Sequence, residues 1–365
     1  MMKHNTHLQE KEKGPLDMRV GIIGCGRISQ VRHLPEYRDN PKAEIAGYFD
    51  FSKERAAQLQ AIYGGKVYET VDEMLADPTI DAVSVCTSNN THADITVKAL
   101  EAGKHVLCEK PMAVSLEDCE RMEDCERMAE TARRTGKKLM IDQNQRLAKA
   151  HVRAKELLKE GLIGRVVTFR TTFGHGGPET WSITPGPNVW FFDKKKAVMG
   201  AMADLGIHKT DLIQFLLDTK VVATTAYVGT LDKKYADGSK IGVDDNAMCI
   251  YEMENGTVGT MTASWTCYGQ EDNSTVLYGT KGIMKIYDDP SYSIKVILRN
   301  GEQIYYDIDR IQTNDNQTKS GVIDAFVDDV VNDREPSISG ESVLTAMRAV
   351  FGNLRSSEEG RRVEV

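Results

Sequence analysis

The feature that most constrains the fold is a series of short, continuously apolar runs separated by amphipathic helical stretches. The runs are RVGIIG (19–24), AEIAGYFD (43–50), AVSVCT (82–87), HVLCEK (105–110) and KLMIDQ (138–143). Strands that are apolar on both faces are typical of a parallel sheet covered by helices on both sides. The sequence therefore predicts an N-terminal α/β domain built on a doubly wound parallel sheet.

The pattern changes after about residue 150. From VATTAYVGTL (222–231) to IYYD (304–307), strand-like alternations follow one another with few helices between them, and the tripeptide ENG (254–256) marks a hairpin turn. Consecutive strands of this kind pair in antiparallel fashion. We therefore predict a second, α+β domain with an antiparallel sheet, and two domains suit a chain of 365 residues.

Composition excludes several classes of partner. The net charge is −8 without a basic block, which argues against a nucleic-acid partner. No apolar segment is long enough to span a bilayer, so we expect no membrane contact. The seven cysteines include no CxxC pair. Unpatterned cysteines of this kind are typical of reduced thiols, and we predict a cytoplasmic protein.

A glycine motif follows the first predicted strand. VGIIGCGRIS places Gly24, Gly26 and Ser29 at the G-x-G-x-x-[GAS] spacing that lets a backbone turn approach a pyrophosphate. The alternative is a plain glycine-rich turn. Asp50, which ends the second run, stands where a carboxylate binds the ribose hydroxyls and repels a 2′-phosphate. We therefore predict a Rossmann domain that binds NAD, with NADP the lesser alternative, and interpret Lys53 and Arg55 as a solvated helix face.

Short polar residues follow the run that ends at residue 87, in CTSNNTHAD (86–94). Doubly wound sheets bind ligands in the crevice at the carboxyl ends of their strands. Thr87 and Asn89 are therefore candidates to line the cofactor site. For His92 two interpretations stay open, a ligand contact and a residue in the first turn of a helix.

Lys110 ends the fifth predicted strand, and Pro111 follows it directly. Proline blocks further strand pairing and favours an extended residue before it. The lysine would lie on the same sheet edge as the glycine turn, facing the nicotinamide end of a dinucleotide, where it could accept or donate a proton. A surface lysine is the alternative, and the flanking Glu109 and Pro111 argue against it.

Asp204, His208 and Asp211 are spaced i, i+4 and i+7 in ADLGIHKTDL (203–212) and share one helical stripe. A carboxylate one turn from a histidine can bind a substrate hydroxyl and orient the imidazole. A surface ion pair and a satisfied core histidine are the alternatives. Because the stripe holds one histidine, it argues against a metal site, and we predict no metal.

The sequence resembles the glucose-fructose oxidoreductase/inositol dehydrogenase/MocA (Gfo/Idh/MocA) family from about residue 18 to the C-terminus. The likeness rests on GIIGCGRIS, on TSNNTHADITVKALEAGKHVLCEKPMA, on NQR followed by AKELLKEGLIGRV, and on GAMADLGIHKTDL. It implies an open, mostly antiparallel sheet in the second domain, and hydride transfer between NAD(P) and a hydroxyl of a sugar, polyol or glycoside.

The resemblance also implies roles for individual residues. Lys110 matches the lysine of the family's E-K-P motif, and Asp204 and His208 match its D-x-x-x-H pair, so these three are the predicted catalytic residues. Arg146 matches a family arginine, although the Asp/Glu-Pro that usually follows is replaced by AKA. The predicted cofactor contacts are Gly24, Gly26, Arg27, Ile28, Asp50, Thr87, Asn89, His92, Glu109, Lys110 and Arg146.

Residue chemistry and resemblance together favour His208 as the proton acceptor, with Lys110 polarising the substrate oxygen and Asp204 positioning both substrate and histidine. The reverse assignment of Lys110 and His208 stays open. We also hypothesise that the Lys110–Pro111 bond is cis.

The least generic segment is FGHGGPETWSITPGPNVWFFDKKK (173–196). Aromatic faces pack on sugar C–H groups, and histidine or asparagine binds hydroxyls, so it is predicted to be a sugar-site loop. The predicted substrate contacts are Lys110, His175, Asn188, Trp190, Asp204, His208 and Tyr268.

The prolines of that loop leave room for a bulky aglycone. Some members of the family that the sequence resembles oxidise the C3 hydroxyl of glucosides, so the resemblance implies oxidation of a glucoside to a 3-oxo-glucoside. An inositol or free-sugar dehydrogenase is the plainer alternative, and a non-catalytic NAD-binding sensor is the rival from another class.

The predicted domains are a disordered or loosely attached tail at 1–17, the NAD-binding domain at 18–145 and the substrate-binding and oligomerisation domain at 146–365, whose last helix packs back on the first domain. The exposed sheet face of the second domain predicts a homo-oligomer, either a dimer, a tetramer or a hexamer.

Overall fold

The computed structural model describes residues 18–115, 120–311 and 319–365. The predicted tail at 1–17 lies outside the described residues. The start of the tandem repeat EDCERMEDCERM (117–128) also lies outside them.

The first of the two sheets is parallel throughout and has six strands in the order β3-β2-β1-β4-β5-β6. Five of them are the predicted apolar runs. The sixth, β3, is only two residues long and half exposed, so it carries no apolar signal. The strands are β1 (Met18–Ile23), β2 (Ala43–Phe49), β3 (Lys66–Val67), β4 (Ala82–Val85), β5 (His105–Cys108) and β6 (Leu139–Ile141).

Two helices of this part begin at a side-chain cap. The Ser52 hydroxyl accepts the Arg55 N–H at the start of α2, and Thr70 does the same for Glu73 at the start of α3. The strand order reverses between β1 and β4, which is where doubly wound sheets bind ligands. The helices are α1 (Leu34–Asp39), α2 (Lys53–Tyr63), α3 (Val71–Ala76), α4 (His92–Glu101) and α5 (Glu120–Thr135).

The second sheet has nine strands in the order β14-β13-β12-β11-β7-β10-β9-β8-β15. Among the strands described, β7 and β10 run parallel and every other neighbouring pair is antiparallel, which confirms the predicted open, mostly antiparallel sheet. The strands are β7 (Val166–Gly174), β8 (Val221–Gly229), β9 (Asn246–Met253), β10 (Val258–Ser264), β11 (Thr275–Gly279), β12 (Gly282–Asp289), β13 (Tyr292–Leu298), β14 (Gln303–Tyr306) and β15 (Val363–Glu364).

Helices cover one face of this sheet and leave the other exposed. Strand β9 shows the difference, because Cys249 and Tyr251 are buried whereas Met248 and Ile250 are exposed. Helices α6, α9 and α11 pack on the buried face. The helices are α6 (Lys149–Lys159), α7 (Pro178–Trp181), α8 (Lys194–Ala197), α9 (Ile207–Leu217), α10 (Val322–Val331) and α11 (Gly340–Glu359).

The last two helices return to the first sheet. Helix α10 packs against α1 and β1, and α11 packs against α5 and β6 as well as β8 and α9. Just before α11, the Ile338 carbonyl accepts the Ile141 N–H at 3.0 Å. In the described part of the chain, no helix combines the length and the apolar character needed to cross a bilayer.

Candidate active site

A cavity of about 1540 Å³ opens between the two sheets. Its walls come from the glycine turn after β1, from the carboxyl ends of β2, β4 and β5, and from the segment leading into α9. Sites for drug-sized ligands usually measure about 300–1,000 Å³, so this cavity can hold a dinucleotide together with a second, smaller molecule.

The glycine turn has the geometry that a bound pyrophosphate needs. Gly24 has a φ of +95°, and a Cβ there would lie 2.5 Å from the Cys86 carbonyl oxygen. A Cβ on Gly26 would instead meet no atom within 4 Å among the described residues. Gly24 therefore allows close contact between strands, while Gly26 faces open cavity beside Arg27 and Ile28, which also line it.

Asp50 lies at the next corner of the cavity and is firmly oriented. Its Oδ2 accepts the Cys25 N–H and its Oδ1 accepts the Ser52 N–H, both at 2.7 Å. The Arg55 guanidinium lies 3.4 Å from each oxygen, whereas Lys53 donates to the Tyr68 and Glu69 carbonyls instead. The carboxylate thus faces the cavity where a ribose would be bound, and the residues of the glycine turn and β2 fit NAD.

The polar residues after β4 line the same cavity. The Thr87 hydroxyl accepts from Thr91 at 2.7 Å, and the Asn89 amide donates to the Ala197 carbonyl at 3.0 Å, which joins the two halves of the chain. His92 is fully buried, and its two ring nitrogens lie 2.8 Å from the Pro111 carbonyl and 3.2 Å from the Thr87 carbonyl. Its imidazole therefore supports the segment around Lys110.

Lys110 reaches across the cavity to the other half of the chain. Its Nζ donates to the Asp204 carbonyl at 2.7 Å and to Asp204 Oδ1 at 2.9 Å. Both side chains are largely buried. The Lys110–Pro111 bond is cis, as hypothesised.

The second oxygen of Asp204 is held by two further groups. Trp265 Nε1–H donates to Oδ2 at 3.0 Å, and His175 Nε2 lies 3.7 Å away. Because His175 Nδ1 accepts the Gly177 N–H at 3.0 Å, the proton of a neutral His175 ring lies on Nε2, facing the carboxylate. Burial raises the pKa of Asp204, but Lys110 and His175 outweigh it and hold that pKa below its usual value.

His208 lies one helical turn after Asp204 and lines the cavity. Burial, reinforced by the Lys110 ammonium, holds the pKa of His208 well below its usual range. Its Nδ1 is buried and has no hydrogen-bond partner among the residues described. The imidazole is therefore neutral at physiological pH, which is the form that can accept a proton.

The third polar residue of the predicted stripe, Asp211, has a different partner. Arg146 holds it through two bonds, Nε to Oδ2 at 2.7 Å and Nη2 to Oδ1 at 2.5 Å. Arg146 also donates to the carbonyl and hydroxyl oxygens of Ser342, each at 3.0 Å. Neither Arg146 nor Asp211 lines the cavity, so the structure does not bring Arg146 to the predicted cofactor site.

The predicted substrate contacts separate into two groups. His175, Asn188 and Trp190 line the cavity, and the Trp190 indole stacks on Phe191 with ring centroids 3.9 Å apart. Tyr268 does not line it; this side chain is 66% exposed and donates to Asp232. Tyr268 lies in the loop beyond β10, where the inward alternation of the strand no longer directs it.

Two sets of residues at the site were missed by sequence reasoning. Trp265 holds Asp204, and the alternation of the buried residues Met261, Ala263 and Trp265 was the signal that could have found it. Buried behind Lys110 are Arg32, His33 and Asp142, which no local pattern marked. Glu109, predicted as a cofactor contact, lines the cavity but directs its carboxylate to His33 and to the Lys110 N–H.

Two family models match the chain. Residues 18–143 match the oxidoreductase family with an NAD-binding Rossmann fold, and residues 151–285 match the GFO/IDH/MocA C-terminal domain. Together they cover more than half of the sequence.

Individual relatives match over nearly their full lengths. The chain is 26% identical to the myo-inositol 2-dehydrogenase of Thermotoga maritima, covering 95% of this chain and 98% of the relative. It is also 26% identical to the D-glucoside 3-dehydrogenase of Escherichia coli, covering 95% and 97%. The fold matches that of a levoglucosan dehydrogenase solved with NADH and levoglucosan, with a TM-score of 0.82 at 23% identity over 95% of this chain and 99% of that one. The glycine turn, the buried Lys110–Asp204 pair and both family matches agree, and the chain belongs to the Gfo/Idh/MocA family of oxidoreductases, with an NAD-binding Rossmann domain in its N-terminal part.

Proposed function

We propose that the protein transfers a hydride between NAD and a secondary hydroxyl of a sugar, a polyol or a glycoside. One observation carries the proposal: an ammonium, a carboxylate and a neutral imidazole meet in the wall of a cavity that also contains the glycine turn. These are the groups that oxidation of an alcohol requires, because the hydroxyl must lose a proton as its carbon loses a hydride.

In the proposed mechanism each residue has a distinct role. NAD, when bound, supplies the hydride acceptor. His208 takes the hydroxyl proton, because its neutral imidazole lines the cavity one helical turn from Asp204. Lys110 polarises the substrate oxygen, and Asp204 orients the Lys110 ammonium and binds a neighbouring hydroxyl. His175 and Trp265 hold Asp204 as a carboxylate.

For the substrate, we propose a glycoside oxidised at C3, with inositol or a free sugar as the alternative. The volume of the cavity and the stacked Trp190 and Phe191 rings support a substrate with a bulky aglycone, as does the likeness to a D-glucoside 3-dehydrogenase. The likeness to a myo-inositol 2-dehydrogenase supports the alternative.

The experiment offers NAD with myo-inositol, glucose and an aryl glucoside, follows NADH by absorbance, and locates the new carbonyl by NMR. The glycoside proposal expects a 3-oxo product from the aryl glucoside. Oxidation of inositol alone would reject it, and turnover of none of the three would reject the wider proposal. His208→Ala serves as the inactive control.

We also propose that the exposed sheet face joins copies of this chain into a homo-oligomer. It presents apolar side chains on neighbouring strands, with Met248 of β9 opposite Tyr227 of β8, and Ile250, Val258 and Tyr278 nearby, all of them exposed. Light scattering on the purified protein tests this. Ile250→Glu should reduce the measured mass to that of a monomer, whereas the control Phe51→Ser, at an exposed site elsewhere, should not.

A further inference from the structure

A cluster of four buried, ionisable side chains lies directly behind Lys110, outside the groups used in the proposed mechanism. His33 Nε2 lies 3.0 Å from Glu109 Oε1 and 3.6 Å from Asp142 Oδ2, and Arg32 Nη1 lies 3.7 Å from the same Asp142 oxygen. All four residues are at most 9% exposed. So many charges are rarely buried together without a role.

Three of these groups could geometrically hold a metal ion, because ligand atoms of His33, Glu109 and Asp142 lie within 4.8 Å of one another. Two observations favour a proton-linked network instead. The Arg32 guanidinium already supplies positive charge next to Asp142, and His33 Nε2 is already engaged with Glu109. Burial, and then the nearby Glu109 carboxylate, raises the pKa of Asp142, as expected for an acid that keeps its proton.

The hydrogen bonds of the cluster form a chain that ends at the backbone of Lys110. The Tyr37 hydroxyl bonds the Ser84 hydroxyl at 2.8 Å, which in turn lies 3.2 Å from His33 Nδ1. Because a carboxylate only accepts, His33 Nε2 carries the proton shared with Glu109. The other Glu109 oxygen accepts the Lys110 N–H at 3.1 Å.

Two members of the cluster lie close after the glycine turn. Arg32 and His33 belong to the π-helical segment Ser29–His33, which follows that turn and leads into α1. Glu109 directly follows β5 and precedes Lys110. The His33–Glu109 bond therefore joins the segment that would carry the pyrophosphate to the residue next to the ammonium of the site.

We propose that His33 and Glu109 are positioning residues that act as one unit to place Lys110 against Asp204 and to couple that placement to the cofactor-binding turn. The effect on turnover rests on the proposed function, whereas the placement of Lys110 does not. The two parts therefore need separate measurements.

Placement is tested by acetylating the protein with limiting reagent and measuring by mass spectrometry how fast Lys110 is labelled, with exposed Lys53 as the internal standard. Glu109→Ala should label Lys110 several-fold faster than the wild type, because the ammonium leaves Asp204. The control Glu36→Ala removes a different buried glutamate, which lies on α1 and is bonded to Ser320. It should leave the labelling rate of Lys110 unchanged. Equal labelling of Lys110 in all three proteins would overturn the proposal.

Coupling is tested by kinetics and by NADH binding measured through fluorescence. Glu109→Ala should lower kcat about 100-fold, as expected when a reacting group moves by about 1 Å, and should raise the Kd for NADH several-fold, because a coupling between Lys110 and the cofactor-binding turn acts in both directions. Glu109→Gln keeps an acceptor for the Lys110 N–H and should recover most of the loss. His33→Ala should match Glu109→Ala, and the double variant should be no worse than either.

Additive losses in the double variant, or no rescue by Glu109→Gln, would overturn the coupling. If Glu109→Ala does not fold, Glu109→Asp, which keeps the charge but is one methylene shorter, should still label Lys110 faster, and wild-type labelling in that variant would count against the proposal. If the wild type turns over none of the sugars but Lys110 is still labelled faster in Glu109→Ala than in the wild type, the proposed function is rejected and the positioning role is supported.

Discussion

Two buried ion pairs, Lys110–Asp204 and Arg146–Asp211, have their carboxylates on the same helical stripe. Apart from this shared stripe, the two pairs differ in position and in partner. Asp204 lies in the π-helical turn Met202–Gly206 and lines the cavity, whereas Asp211 lies within regular α9, further along the stripe, and does not line it. Such π-turns are frequent at functional sites. The comparison teaches that spacing along a helix predicts which residues share a face, while their partners decide which of them does chemistry.

The largest effect should come from His208, which lies between the two acids on the stripe. His208→Ala removes the proposed proton acceptor and should lower kcat about 1,000-fold, within the usual range for loss of a general base. Steady-state kinetics measures this, and NADH fluorescence should show an unchanged Kd. Undiminished turnover in this variant would show that His208 is not the proton acceptor.

The next effect concerns stability and belongs to the other pair. Asp211→Ala leaves the Arg146 guanidinium buried without its partner and should lower the free energy of unfolding by about 3 kcal/mol. Urea denaturation measures it. The kcat of the folded protein should stay close to that of the wild type, and a large fall in kcat at unchanged stability would make the two pairs functionally alike.

A smaller effect is expected from Asp204→Asn, which keeps the shape of the side chain but removes the charge that orients Lys110. Its kcat should fall about 100-fold. Asp211→Asn is the matched control from the second pair and should change kcat by less than about threefold. Similar losses in the two variants would contradict the distinction between the pairs.

The smallest effect is in the pH dependence of stability, where the two acids should act with opposite sign. The pKa of Asp204 is lowered in the folded state, so the folded protein binds fewer protons there than the unfolded chain. The contribution of Asp204 to the free energy of unfolding is therefore lost as pH falls through the folded pKa. Burial raises the pKa of Asp211 despite the opposing charge of Arg146, so its contribution weakens as pH rises through that pKa.

Urea denaturation between about pH 2 and pH 7, a range that extends from below the usual carboxyl pKa values to above them, distinguishes the two. Relative to the wild type, Asp204→Asn should lose less stability on acidification, and Asp211→Asn should lose more. Slopes of the same sign in the two variants would contradict the assigned directions.

Sequence reasoning predicted the parallel sheet and the Lys110–Asp204–His208 group because each depends on a local signal, an apolar run, a proline or a helical spacing. It did not predict that Arg146 pairs with Asp211, since the family resemblance was the only signal for Arg146 and it indicated the cofactor site instead. Tyr268 was predicted as a substrate contact but does not line the cavity, because the strand that would direct its side chain inward ends at Ser264. The cluster around Asp142 draws on three separate segments, and no single segment shows it.

The return of α10 and α11 to the first sheet has a consequence for how members of this family can exchange parts. A gene fusion that takes the nucleotide-binding half of one relative and the remainder of another joins α5 to a foreign α11, although these two helices pack against each other. Working chimaeras of this protein should therefore take α5 and α11 from the same parent, so that the packing between the two halves stays matched.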